Sequence, residues 1–173
     1  MWRFKSRHVS YMTSRLTHTP LNSAEIQAKI DDLQFIPYEE LPELTDVDEL
    51  LPQSLILYQL AKTGHFVCVF ENSEGINFFD PLGYSPDAEL NVPIEPHLRY
   101  QKHENFTHML RLLSQADHVV WNEHRYQMKG TSTCGHWCTI RLLCSKLTND
   151  EFWRVWQRIP NRDRIVALLY QSI

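Results

Sequence analysis

No apolar run in this sequence approaches the ~20 residues that a membrane-spanning helix needs; the longest are strand-length stretches such as Phe66–Phe70. No membrane partner is therefore expected. The N-terminus also lacks the apolar core of a secretory signal, which makes an intracellular setting the expectation. Cysteine is sparse. Cys68, Cys134, Cys138 and Cys144 all fall in apolar sequence, and their spacing is not that of a secreted disulfide framework, so reduced thiols are expected. There is no internal repeat and no low-complexity segment. The first 20 residues hold no acid at all, while carrying Arg3, Lys5, Arg7 and Arg15.

What is present fits one domain, since 173 residues can bury a sizeable core without covalent staples. Residues 1–20 mix basic, aromatic and hydroxyl side chains without period and read as a flexible basic arm; residues 21–173 read as the domain. The net charge of −4 hides a division. Residues 21–95 carry fifteen acids against Lys29 and Lys62, a local charge of −13, whereas residues 96–173 carry a local charge of +5. Such asymmetry implies faces of opposite potential, the basic one being either a solvated surface or a site for nucleic acid such as DNA.

Periodicity and punctuation give the elements. Asn22 or Ser23 caps a helix to about Asp32, with Ile26, Ile30 and Leu33 on one face. The acidic, proline-punctuated stretch from Pro37 to Pro52 reads as loop with a short helical turn. His65–Phe70 and Ile76–Phe79 read as a hairpin around Glu71–Gly75, with both faces covered because successive residues are apolar. A helix is predicted over 104–115, with Phe106, Met109, Leu110 and Leu113 inward, and then a buried strand over His118–Asn122. A central helix is predicted from Cys134 to about Leu147. Two closing helices follow, capped by Asn149 and Asn161, with Phe152, Val155 and Trp156 inward in one and Ile165, Leu168 and Leu169 in the other. The class is α+β.

Chemistry concentrates at Cys134. Thr131-Ser132-Thr133 offers capping hydroxyls, Gly135 lets backbone approach closely, and a helix starts there, so the positive end of its dipole favours thiolate. A thiolate is the nucleophile of acyl transfer; the competing reading is a small buried apolar residue. His65 opens the first buried strand, and the paired strand ends in Asp80 at the same hairpin edge. A base and the carboxylate that orients it would thus lie together. Gln127, in the polar loop before Cys134, could donate with the Cys134 main-chain N–H to a developing oxyanion; the competing reading is an exposed glutamine. Cys134, His136 and Cys138, with Cys144 or His65, also have the residue types of a zinc site. They lack its paired knuckles, so neither metal nor cofactor is expected.

The ordered set Gly64-His65-Phe66, Phe79-Asp80-Pro81-Leu82-Gly83-Tyr84-Ser85 and Gln127-x6-Cys134-Gly135 resembles the adenain-like cysteine proteases. These are maturation proteases of adenoviruses, with relatives in virophages, polinton-type elements and large DNA viruses. More distant relatives deconjugate ubiquitin-like proteins. The resemblance covers about residues 22–145. It implies a central mixed sheet packed against a helix that starts at the nucleophile, with His65 as base, Asp80 as orienting carboxylate, Cys134 as nucleophile and Gln127 as oxyanion donor. It further implies a monomeric endopeptidase that cleaves viral capsid or core precursor proteins after glycine, in the virion and the infected cell. Deconjugation of a ubiquitin-like modifier, or a non-catalytic binding module, are the alternatives. Two departures stand out. Phe66 occupies a position where the family usually has Trp, and residues 81–126 hold no cysteine to tether an activating peptide.

Overall fold

The computed structural model describes residues 16–60, 63–88 and 107–173. Helix α1 (Ser23–Gln27) leads into β1 (Gln34–Pro37), two 3-10 turns (Tyr38–Glu43 and Val47–Leu50), β2 (Gln53–Leu60), β3 (Thr63–Asn72) and β4 (Gly75–Phe79). Then come α2 (His108–Leu113), β5 (Val119–Trp121), α3 (Cys134–Leu143), α4 (Asn149–Trp156) and α5 (Arg162–Ser172). The five strands form one sheet in the order β1-β2-β3-β4-β5. Its inner pairs, β2·β3 and β3·β4, are antiparallel, while β1 and β5 join parallel at the edges. The expected α+β class with a central mixed sheet is what forms.

Alternation along the inner strands separates two cores. Phe66, Cys68, Phe70 and Phe79 pack with Trp137, Cys138 and Ile140 of α3; Val67, Val69, Ile76 and Phe78 pack with Met109 and Leu112 of α2 and with Leu41 and Leu50 of the 3-10 turns. Every residue of α3 from Cys134 to Leu142 is buried. That burial includes Arg141, whose guanidinium donates to the carbonyls of Cys144 and Leu147 (both 2.9 Å) and lies between the rings of Phe70 and Phe152. These contacts close the C-terminal end of α3 and replace the water the cation gives up.

Several expectations are corrected. Helix α1 stops at Gln27, although Asn22 caps it through a reciprocal box with Glu25, and Ile30 and Leu33 still reach the core. The expected loop over Pro37–Pro52 holds the two 3-10 turns, and it is flanked by strands β1 and β2, which no sequence expectation covered. The hairpin turn shrinks to Ser73-Glu74, because β3 and β4 pair out to Asn72 and Gly75. Gly75 is required there: its φ is +100°, and a Cβ would lie 2.6 Å from the His118 carbonyl oxygen. Strand β5 is a half-buried edge rather than a buried element, with Trp121 44% exposed.

Inward faces also rotate. In α2 Leu112, not Leu110, is buried; in α5 Val166, Ala167 and Tyr170 point inward while Leu168 and Leu169 face out. Polar groups cause the α5 rotation, since Asp163 and Tyr170 both make hydrogen bonds inside. Val155 in α4 is likewise exposed, and that helix is capped by Thr148. Residues 104–106 of the expected earlier helix and residues 1–15 of the expected arm lie outside the described residues. Within the arm, Thr17 is buried and its carbonyl accepts the Ser132 N–H at 2.7 Å.

Candidate active site

Strand β3 delivers His65 to the end of the sheet, two residues in from Thr63. Opposite it, β4 ends at Phe79, which pairs with Cys68. Continuing that register places Asp80 across from Val67, so His65 meets Asp80 on the diagonal, not directly across. A diagonal neighbour is within reach of a long side chain. His65 Nε2 and Asp80 Oδ1 are 2.7 Å apart.

Asp80 is fully buried and held on every side. Its Oδ1 also accepts the Leu82 N–H at 2.7 Å, and its Oδ2 accepts the Tyr84 N–H at 3.3 Å. Asn122 grips its main chain from both ends: Asn122 Oδ1 accepts the Asp80 N–H (2.8 Å) and Asn122 Nδ2 donates to the Asp80 carbonyl (2.7 Å). The Asp80–Gly83 turn closes with the Gly83 N–H on that same carbonyl. Gly83 has φ +77°, and a Cβ there would lie 2.9 Å from backbone atoms of His124 and Arg125. Any larger residue would push this loop away from the carboxylate.

The other side of the imidazole meets Cys134, the first residue of α3, whose thiol hydrogen-bonds to the ring. Both groups are nearly buried, His65 at 8% and Cys134 at 7% exposure. Burial alone would lower the His65 pKa, but the charge and hydrogen bond of Asp80, with help from Cys134, hold it well above the ordinary value. Burial alone would raise the Cys134 pKa. The hydrogen bond and charge of His65, and the N–H groups of Phe66 and Gly135, hold it below the ordinary value instead. The opposite displacements favour one state, thiolate beside imidazolium.

The remaining thiols are unlike it. Cys138 is fully buried, donates to the Phe66 carbonyl at 3.4 Å, and is pushed well up by burial and by the adjacent Cys68. Burial also raises Cys144. Among the described residues no three His, Cys, Asp or Glu side chains are grouped to hold a metal ion. The His136 ring lies edge-on to Tyr170, with centroids 5.0 Å apart.

Gln127 is buried, and its main-chain N–H donates to the Pro81 carbonyl at 2.9 Å, which ties its loop to the Asp80 turn. Its Nε2 donates to the Thr131 carbonyl at 2.6 Å, using one of two amide protons. The first intrahelical bond of α3 is from the Trp137 N–H to the Thr133 carbonyl. The N–H groups of Cys134, Gly135 and His136 therefore have no main-chain acceptor within the helix. One expectation fails here: the Thr133 hydroxyl does not cap α3, because it donates to Asp163. Asn122 and Asp163 were not singled out in the sequence. Nothing in its local surroundings marks Asn122, and an acid in the first turn of a helix reads as ordinary dipole compensation.

Comparison with known proteins adds a modest amount. No family model matches the chain. It is 28% identical over 142 residues to an uncharacterized protein, V9, of Sputnik virophage, covering 76% of this chain and 80% of that protein. Among solved structures, the C-terminal Ulp1 protease domain in complex with Smt3, the yeast orthologue of SUMO, shares 12% identity at a TM-score of 0.38, over 92% of this chain and 80% of that one. The Chlamydia trachomatis effector Cdu1 bound to ubiquitin shares 14% identity at a TM-score of 0.38, over 99% and 78%. The chemistry rests on the site itself.

Proposed function

We propose that this chain is a cysteine peptidase in which Cys134 is the nucleophile, His65 the general acid and base, and Asp80 the carboxylate that orients it. The observation that carries this reading is the single imidazole held between a buried carboxylate and a thiol at the start of a helix. The Cys134 thiolate attacks a peptide carbonyl, forming a carbon–sulfur bond and an oxyanion. Gln127, through its second amide proton, and the Cys134 main-chain N–H receive that charge; such a donor contributes about 3–4 kcal/mol. His65 gives its proton to the departing amine as the carbon–nitrogen bond breaks. Water then attacks the thioester with His65 taking its proton, and release of the acid restores the ion pair.

The finer reading is an endopeptidase that cleaves capsid or core precursor proteins after glycine during virion maturation, in the virion and infected cell. It is supported by the ordered motif set and by the similarity to a virophage protein. The finer reading includes DNA binding through the basic half of the chain, in which Arg125, Lys129, Arg154 and Arg158 are exposed, with affinity falling steeply as salt rises. One assay tests the substrate class: the purified protein against Gly-Xaa peptides of capsid type and against ubiquitin-like active-site probes, side by side. Cleavage of the peptides with no reaction with the probes is expected; the reverse pattern would make it a deconjugase, and neither would reject the peptidase.

A further inference from the structure

Asp163, in the first turn of α5, is 4% exposed and accepts three hydrogen bonds. Its Oδ1 takes the Thr133 hydroxyl and the Trp137 indole N–H (2.9 Å), and its Oδ2 takes the Met128 main-chain N–H (2.8 Å). These donors share a purpose in sequence: Met128 follows Gln127, Thr133 precedes Cys134, and Trp137 lies one turn into α3. Between them the loop is cross-tied, with Gln127 Nε2 on the Thr131 carbonyl and the Thr131 hydroxyl on the Met128 carbonyl at 2.8 Å. One carboxylate thus fastens both ends of the segment that separates the Gln127 amide from the Cys134 N–H.

We propose that Asp163 is a positioning residue, a brace that fixes the spacing of the two oxyanion donors while leaving thiolate formation to His65 and Asp80. The proposal rests on the peptidase reading above. A carboxylate suits the task because all three groups facing it are donors and both of its oxygens accept. An amide of the same shape would aim its own N–H groups at one of them. Displacing reacting or stabilising groups by about 1 Å costs on the order of 10²-fold in rate, so a loosened brace acts on catalysis before it acts on the fold.

Two reactions of the same thiol separate these roles. Alkylation by iodoacetamide is displacement at a saturated carbon and needs thiolate alone, whereas acylation by p-nitrophenyl acetate passes through an oxyanion. Asp163→Asn and Thr133→Val should lower the acylation rate at least about tenfold while the alkylation rate and its pH profile stay within about twofold. Thr133→Ser, which keeps the hydroxyl, should acylate as the unsubstituted protein does. Thr133→Val leaves the Met128 and Trp137 bonds to Asp163 in place, so it carries the test if Asp163→Asn does not fold. Acylation unchanged in the folded variants, or both reactions slowed in proportion, would overturn the brace. An unsubstituted protein that is alkylated at Cys134 but never acylated would instead overturn the peptidase reading, and the brace with it.

Discussion

Lowering the pH from 7 to 4 is a perturbation aimed at His136, the third residue of α3. Its imidazole is 5% exposed, lies edge-on to Tyr170 at 5.0 Å, and has an Nδ1 without a partner among the described residues. Burial pushes its pKa down to about 4, against the pull of Glu25 on α1 and Asp163 on α5. In the unfolded chain it titrates near the ordinary 6.5. Between those values the unfolded state binds a proton that the native state refuses, so stability falls as the pH falls, and the loss is complete below about 4. A gap of about 2.5 pH units corresponds to about 3 kcal/mol, a large share of a typical net stability of about 5–15 kcal/mol. Urea unfolding at pH 7 and pH 4 measures it, with His136→Phe as the reference because a phenyl ring fills the place beside Tyr170 without titrating. The unsubstituted protein should lose about 3 kcal/mol more than the variant between the two conditions. Equal losses would refute the reasoning, since they would assign acid sensitivity to other groups.

Gln127→Ala should lower kcat by roughly 10²–10³ with little change in KM, because an oxyanion donor acts in the transition state; a loss confined to KM would make Gln127 a substrate-binding residue. Asn122→Ala leaves the buried Asp80 N–H unpaired, so urea unfolding should show a loss of about 1–3 kcal/mol, with kcat reduced as the carboxylate loosens. An unchanged unfolding midpoint would count against the clamp. The rate of Cys134 alkylation should already be high below the ordinary thiol pKa, because His65 holds the thiol down. His65→Ala should shift that limb toward alkaline pH, and an unmoved profile would dissociate the two residues. Peptidase activity should fall on the alkaline side as His65 loses its proton, at a pH above the ordinary histidine range.

Legibility followed chain distance. That His65, Asp80 and Cys134 lie together could be read because each stands at or beside the end of a regular element, where hydrophobic patterning fixes position. The hairpin alone forecast that His65 and Asp80 would meet, though the diagonal offset needed the register, which no local signal specifies. Strand β2 was missed although Leu55, Ile56, Leu57 and Tyr58 are apolar in succession, because a run of that length does not declare its period. Asn122 and Asp163 were illegible for a different reason. Their partners lie 42 residues away and up to 35 residues away, and polar groups that serve distant backbone leave no mark in their own neighbourhood. The inward face of α5 was misjudged on the same ground: Asp163 and Tyr170 face in because their acceptors and donors are inside, against the pull of Leu168 and Leu169.

The central claim is that one thiol of four performs acyl transfer. The most direct measurement compares the rates at which Cys134→Ala and Cys138→Ala cleave a Gly-Xaa peptide, after circular dichroism has shown both to be folded. Removing the Cys134 sulfur subtracts one atom at a helix start and should leave the fold intact while abolishing cleavage. Cys138→Ala creates a small void in the core beside Cys68 and should cleave at close to the unsubstituted rate. Cleavage retained by Cys134→Ala and lost in a folded Cys138→Ala would contradict the account.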